Sequence, residues 1–288
     1  MTDAAKPELL AHAPAELTAG RLRRLGEGIG RVVYASDRWV VKRERSPSEI
    51  VALIVLWKIL RRIERLLPRW LGSRLVQRPA RQIQMLRVLA EAIMAVVPKA
   101  LWFTTHIRHV WRIYHFRNTR GEALAREHLE GTALVPLRIE FPPTCVKIGG
   151  WPGELTVCEA TERVEATLDQ RIAELADAER FDDLEALLER FLRARQAGWS
   201  QGVFSVDAHL KNYGIIGSRI VLLDAGGLTD RWPDVERRLA AEEDVDRPHV
   251  ALGIGAALKT RPDIAERFDA RWKEVVNPEV VAQTLRRA

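Results

Sequence analysis

The chain has a first part with short runs of β-forming residues and a second part with long helical periods. The runs RVVYA, from Arg31, and RWVVKRE, from Arg38, are separated by Ser-Asp and predict a β-hairpin. ELTVCEA, residues 154–160, predicts another strand. Apolar residues recur at the helical period over residues 168–197, and residues 234–288 predict two or three more amphipathic helices. The pattern predicts an α+β fold.

The stretch between the hairpin and the strand at residue 154 is harder to assign. Residues 48–67 and 79–96 show helical periodicity, whereas residues 101–117 alternate and predict a strand. Residues 118–150 have no clear pattern.

Three oxygen-bearing side chains stand close together in SVDAHLKNYGIIGSRIVLLDAGG, residues 205–227. Asn212 follows Asp207 by five positions, and Asp224 follows Asn212 by twelve, directly after the apolar run IVLL. A short hairpin between them would return the second carboxylate to face the first loop. Hard oxygen ligands are those that magnesium prefers. The alternative is two turn-capping residues and a solvated aspartate.

The spacing D-x-x-x-x-N, followed by D-x-G, resembles the catalytic loop and metal-binding turn of the protein-kinase-like superfamily. The resemblance implies that Asp207 orients the attacking hydroxyl and accepts its proton, while Asn212 and Asp224 hold magnesium. It also implies that Lys211 reaches the γ-phosphate and that His209 supports the loop. Ser-Val-Asp replaces His-Arg-Asp and Asp-Ala-Gly replaces Asp-Phe-Gly, which argues against a regulated eukaryotic-type protein kinase.

LGEGIGRVVYASDRWVVKRE resembles the glycine-rich loop of this superfamily and the two strands that follow it. The backbone of Gly26, Gly28 and Gly30 would then approach the phosphates of ATP, and Lys42 would pair with the α- and β-phosphates. The spacing is G-x-G-x-G, where G-x-G-x-x-G is usual.

ELTVCEATERVEATLDQRI resembles the strand and hinge that join two lobes, and the backbone near Glu159 and Ala160 would pair with adenine. An ordinary strand and linker is the alternative. The resemblance implies a bilobal protein-kinase-like fold, with a lead-in (residues 1–20), a β-rich N-lobe with an inserted basic helix (21–160) and a mostly helical C-lobe (161–288).

In this superfamily the phosphate-binding lysine pairs with a Glu on the first long helix of the N-lobe. Residues 78–101 resemble that helix, but Gln82 occupies the expected position. Glu49 and Glu64 are the alternatives for pairing with Lys42.

The net charge of +6 favours an anionic partner. Nine Lys or Arg face one acid, Glu64, between residues 58 and 87, with Trp57 and Trp70 nearby. The insertion from Arg43 to Pro79, with its basic segment SEIVALIVLWKILRRIERLLP, resembles the matching region of the lipopolysaccharide core kinases, which act on heptose or 3-deoxy-manno-octulosonic acid. It favours an anionic membrane surface, although a solvated helix face with two core tryptophans is an equal alternative. No nucleic-acid fold motif is present, so no nucleic-acid partner is expected.

The longest apolar run, IVALIVLW from Ile50, is too short to span a bilayer. Two cysteines do not make a disulfide framework and favour a reducing compartment. We therefore expect a cytoplasmic protein, peripheral on the inner face of the cytoplasmic membrane.

Together these resemblances imply a magnesium- and ATP-dependent kinase that phosphorylates a hydroxyl of a sugar in a membrane-associated glycolipid. Two alternatives stay open. One is a soluble kinase of an aminoglycoside-like small molecule. The other is a nucleotide-binding pseudokinase scaffold, which Gln82 and the short glycine loop favour.

Overall fold

The computed structural model describes residues 8–27, 30–46, 48–50, 52, 115–150, 152–207, 209–243 and 247–287. Its architecture is mixed α+β, with a β-rich sheet towards the N-terminus and helices towards the C-terminus, which confirms the predicted class. The chain divides into two compact units. The first unit comprises Met1–Leu22, Ala35–Val41 and Arg117–Ala288, and the second comprises Arg23–Tyr34 and Lys42–Phe116.

A meander of three strands, which are neighbours both in the chain and in the sheet order, follows the N-terminal residues. The predicted hairpin is confirmed, and Trp39 N closes its turn by donating to Ser36 Oγ over 3.0 Å. Apolar side chains of the hairpin alternate inwards, with Val32 and Tyr34 buried. The three strands are β2 (Arg21–Glu27), β3 (Arg31–Ala35) and β4 (Trp39–Glu44).

The first unit contains a long antiparallel hairpin. One of its strands also pairs in parallel with a short N-terminal strand and with the start of β2. A bulge interrupts the hairpin between Glu140 and Thr144, where Pro142 and Pro143 lack the N–H that a ladder needs. The strands are β1 (Glu8–Leu9), β5 (Arg138–Ile148) and β6 (Glu154–Glu162).

The helical part of the first unit is built around one long helix, α3 (Phe181–Ser200). The helical period of the sequence correctly predicts its apolar stripe, because Leu184, Leu187, Leu188 and Phe191 are all buried. The helix packs against α2, α6 and α7. The other helices are α1 (Ala15–Thr18), α2 (Leu168–Asp177), α4 (Trp232–Glu243), α5 (Pro248–Ala251), α6 (Pro262–Val275) and α7 (Pro278–Arg287).

Residues 115–117 are helical, so the strand predicted over residues 101–117 is wrong at its end. Residues 115–124 form a helix that continues into a π-turn, Ala125–Leu129. The helix formers Glu-Ala-Leu-Ala-Arg-Glu from residue 122 explain the difference, since they outweigh the short alternation before them. The chain leaves the helical path at Gly131, which has a φ of 78°.

The predictions for residues 53–114 lie outside the described residues. They include the helix over residues 79–96 and the basic segment with Trp57 and Trp70. In the part of the chain that is described, no helix combines the length and apolar character needed to cross a membrane. Cys145 and Cys158 are both free and exposed.

Candidate functional site

The two loops that carry the predicted catalytic and metal-binding residues are held together by two small antiparallel ladders. Strand β8 (Phe204–Ser205) pairs with β11 (Leu228–Thr229), and between them β9 (Tyr213–Ile216) and β10 (Arg219–Leu222) form a hairpin. The short strand β7 (Ala166–Thr167) pairs with the other edge of β9. The Asp207 loop therefore follows β8, and the Asp224 turn precedes its partner β11. The predicted return of the chain by a hairpin is confirmed.

The base of this site is fixed by a buried aromatic cluster. Arg195 is 4% exposed, and its guanidinium lies 5.7 Å from the centre of the Phe204 ring and 4.6 Å from that of Trp272. Phe204 also stacks on Trp199. Strand β8 is thus anchored in the core directly before the loop that carries Asp207.

The Asp207 loop and the Asp224 turn are in direct contact. Val206 N donates to Gly227 O over 2.8 Å. A Cβ at Gly227 would lie 2.6 Å from the Cβ of Asp207, closer than two carbon atoms can approach. Glycine at position 227 is therefore what allows the two loops to meet.

Asn212 links the two loops and is only 8% exposed. Its Nδ2 donates to the carbonyl of Asp207 over 3.0 Å, and its own carbonyl accepts from Leu223 N over 2.7 Å. Among the described residues these contacts use the amide nitrogen of the side chain and leave its amide oxygen for a cation. Asn212 therefore ties the loop of Asp207 to the residue before Asp224.

Asp224 is exposed and caps the 3-10 turn Ala225–Gly227. Its Oδ1 accepts from Gly226 N over 3.0 Å, which fixes the direction of the carboxylate. Asp207 is 36% exposed at its side chain. The site therefore has two accessible carboxylates and one buried carboxamide on adjoining loops.

The helix at residues 115–124 packs closely against the Asp224 turn. A Cβ at Gly121 would lie 1.9 Å from the carbonyl oxygen of Ala225. A Cβ at Gly226 would approach Asn118 Oδ1 to 2.5 Å and Asp224 Oδ1 to 3.1 Å. The helix also places Arg117 Nη2 at 3.9 Å from Asp207 Oδ2. One helix thus touches both loops of the site.

The alternation over residues 101–117 predicts a strand, and it therefore hides the first residues of this helix. A usable signal lies in the helix formers after Gly121 and in Gly131, which stops the helix. Glu122, one turn after Asn118 on this helix, is half-buried.

His209 and Lys211 follow Asp207 in the chain, two and four positions later. His209 Nε2 lies 3.4 Å from Asp207 Oδ1, and its side chain is 64% exposed. Lys211 is exposed in the 3-10 turn Leu210–Asn212. Both lie on the same loop as the predicted base, with Lys211 next to the buried Asn212.

The predicted phosphate-binding residues belong to the second unit. Gly26 lies in β2, Gly30 directly precedes β3, and Gly28 is outside the described residues. A Cβ at Gly26 would meet no atom within 4 Å, so packing does not require a glycine there. Lys42 is exposed on β4, the strand that follows β3 in the meander.

The predicted hinge residues lie inside a strand. Glu159 and Ala160 stand opposite Glu140 and Ile139 in the ladder of β5 and β6, and β6 continues to Glu162. The Glu159 side chain is about half exposed and binds Arg126 over 3.1 Å. The connection that leaves β6 therefore begins after Glu162, later than predicted.

Of the three acid or amide candidates for pairing with Lys42, only Glu49 is described, while Glu64 and Gln82 lie outside. The Glu49 carboxylate accepts two hydrogen bonds from Arg43, over 3.0 and 2.8 Å. The bond to Glu49 is the main cause that raises the pKa of Arg43. Glu49 is therefore engaged by Arg43.

The oxygen donors of the site fit magnesium by their chemistry, because two carboxylates and a carboxamide are hard ligands. No group of three or more His, Cys, Asp and Glu side chains arranged to hold a metal occurs among the described residues. A site built from Asp224 and Asn212 includes a carboxamide and leaves other positions to phosphate oxygens and water, as is usual for magnesium.

Comparison with the models of known protein families gives no match, and comparison with curated protein sequences gives none either. The chemistry of the site is therefore judged from its own residues and their geometry.

Proposed function

We propose that the chain is an ATP-dependent phosphotransferase with a bilobal protein-kinase-like fold. The observation that carries the proposal is the contact between two loops that present Asp207, Asn212 and Asp224 together. The loops adjoin through Gly227 and through the carbonyl of Asn212. Two turn-capping residues and a solvated aspartate would not require glycine at 227 or a buried amide at 212.

Asp207 is the proposed general base. An acceptor hydroxyl oxygen forms a bond to the γ-phosphorus of ATP, the bond from that phosphorus to the β–γ bridging oxygen breaks, and the hydroxyl proton passes to the Asp207 carboxylate. The hydrogen bond from Asn212 to the Asp207 carbonyl keeps the base in place during this step. Positioning and charge neutralisation supply the rate, without a covalent intermediate.

Asn212 and Asp224 are the proposed magnesium ligands. These two residues would hold the ion, which would supply charge neutralisation for the phosphates. The Asp224 carboxylate is held for this task by Gly226 N, and Lys211, on the same turn as Asn212, would contact the γ-phosphate.

The remaining contacts with ATP are proposed from the sequence pattern. Gly26, Gly28, Gly30 and Lys42 would bind the phosphates. The sequence places the adenine contact near Glu159 and Ala160, but the strand that holds these residues continues to Glu162. We therefore propose that adenine contacts the backbone of residues 163–165, which follow the strand. In this connection Arg163 N donates to Arg38 O, and Glu165 N donates to Ile215 O. The backbone of Val164 is therefore the proposed contact with adenine.

The proposed acceptor is a sugar hydroxyl of a membrane-associated glycolipid, reached from the cytoplasmic side of an anionic membrane. This part rests on the basic segment with Trp57 and Trp70 and on its resemblance to the lipopolysaccharide core kinases. A soluble kinase of small alcohols and a nucleotide-binding scaffold are the other proposals that the sequence favours.

Transfer of radiolabelled phosphate from ATP to a panel of acceptors tests the proposal. The panel contains lipid-linked sugars, aminoglycosides and small alcohols, and the Asp207→Ala variant serves as the inactive control. Labelling of a lipid-linked sugar that requires magnesium and disappears in Asp207→Ala is expected. Labelling of small alcohols alone would select the soluble kinase, and nucleotide binding without labelling of any acceptor would select the scaffold.

A further inference from the structure

Arg117 lies beside the proposed base and has no other partner within the described part of the chain. Its Nη2 is 3.9 Å from Asp207 Oδ2, and the two side chains are 48% and 36% exposed. An ion pair this long and this exposed contributes little to stability. The pair therefore does not explain why a guanidinium stands at this place.

The backbone that carries Arg117 is held firmly. The next residue, Asn118, packs against Gly226, and one turn later Gly121 lies against the carbonyl of Ala225. The start of the helix is thus fixed on the Asp224 turn, while the side chain of Arg117 extends over the Asp207 loop. A rigid backbone with an accessible charged tip is what positions a group for binding a ligand.

A guanidinium offers five N–H donors in a planar fork that matches the oxygens of a phosphoryl group. Only one of its nitrogens approaches Asp207, so donors remain for a second anion. The proton acceptor and the transferred phosphoryl group must lie next to one another in the proposed reaction. A cation at 3.9 Å from the base is therefore within reach of the phosphoryl oxygens.

We propose that Arg117 is a catalytic residue that binds the transferred phosphoryl group beside Asp207. The inference rests on the proposed function and adds to it a cation supplied by the helix at residues 115–124. As the hydroxyl oxygen bonds to the γ-phosphorus and ADP departs with the electron pair of the broken bond, Arg117 donates to an equatorial phosphoryl oxygen. Its shift towards that oxygen frees the Asp207 carboxylate to take the proton.

The test compares the binding of two nucleotides, in magnesium, to the full chain. A non-hydrolysable ATP analogue carries the γ-phosphoryl group and ADP lacks it. Calorimetry measures the affinity for each nucleotide in three variants: Arg117→Ala, Arg117→Lys and the control Arg193→Ala. Arg193 is a suitable control because it is an exposed arginine of α3 whose ion pair is with Glu189 of the same helix.

We expect Arg117→Ala to bind the ATP analogue about tenfold more weakly and ADP unchanged, and to lower kcat by about 10³-fold, as the loss of an arginine at a phosphoryl group does. Arg117→Lys keeps the positive charge but lacks the planar guanidinium, so its analogue affinity and kcat should lie between those of the wild type and Arg117→Ala. Arg193→Ala matches the wild type. Circular dichroism confirms that each variant is folded.

Three results separate failure of this inference from failure of the proposed function. A wild-type chain that binds neither nucleotide refutes the proposed function itself. A wild type that binds both nucleotides, with Arg117→Ala unchanged in analogue affinity and in turnover, overturns only the role of Arg117. An increase confined to the KM of the acceptor likewise overturns it, because the arginine would then contact the acceptor.

Discussion

Replacement of Gly121 by alanine tests how closely the helix at residues 115–124 approaches the site. The added Cβ would lie 1.9 Å from the carbonyl oxygen of Ala225, 2.7 Å from its carbonyl carbon and 3.0 Å from the Cα of Gly226. All three are backbone atoms, so no side chain can rotate away. Carbon–oxygen contacts in proteins begin at about 3.3 Å, and the helix and the turn must therefore separate by roughly an ångström or more.

The size of the effect follows from two opposing contributions. Alanine in a helix is favoured over glycine by about 1 kcal/mol, whereas forced overpacking costs about 1–3 kcal/mol. We expect a net loss of stability of about 1 kcal/mol. Because a displacement of 1 Å in a catalytic group lowers the rate by about 100-fold, kcat should fall by that order as the turn moves Asp224.

Chemical denaturation and phosphotransfer kinetics measure the two effects. Gly198→Ala is the matched control, since it is also a helical glycine, in α3, and its added Cβ would meet only Val203 O at 3.8 Å. That variant should be as active as the wild type and at least as stable. Gly121→Ala with wild-type stability and kcat would refute the close packing of the helix on the turn.

Two further predictions concern the loops and the helical core. In Gly227→Ala the added Cβ would lie 2.6 Å from the Cβ of Asp207, so the two loops must move apart. We expect kcat to fall by a larger factor than the affinity for ATP. Equal losses in kcat and in affinity would contradict this expectation. Arg267 donates to Glu185 over 2.7 and 2.9 Å, and this bond, opposed by desolvation, lowers the pKa of Glu185. Because the pKa of Glu185 is lower in the folded state than its unfolded value of about 4.3, the carboxylate adds stability at pH values above that unfolded pKa. This gain is lost as the pH falls through the folded-state pKa. The difference in thermal midpoint between the wild type and Arg267→Ala should therefore be largest at neutral pH and low salt, and it should shrink below pH 4. A difference that does not depend on pH would exclude this ion pair as its source.

The local sequence pattern is sufficient to predict a strand or helix when its apolar residues recur with the period of the face that the fold buries. The hairpin of β3 and β4 and the apolar stripe of α3 follow from alternation and from the helical period, since both elements have one buried face. The return of the chain between Asn212 and Asp224 was likewise predictable, because two apolar runs flank Gly217, whose φ is 57°.

Contacts between distant segments were not predictable in the same way. The approach of Gly121 to Ala225 joins residues about a hundred positions apart, and no local propensity encodes it. The role of Arg117 was hidden for the same reason, since its neighbour Asp207 is equally far along the chain. The end of β6 was misplaced because the pairing of Trp39 with Glu162, which extends the strand, is also a long-range contact.

The two loops are proposed to form one site for magnesium-bound nucleotide. Manganese substitutes for magnesium at oxygen ligands and is paramagnetic, so titration followed by electron paramagnetic resonance, with and without ATP, measures the site directly. We predict that ATP strengthens binding of the ion, that Asp224→Asn abolishes this gain, and that Asp207→Ala retains it because the base is not a ligand. Manganese binding that ATP does not change, or that survives in Asp224→Asn, would contradict the account.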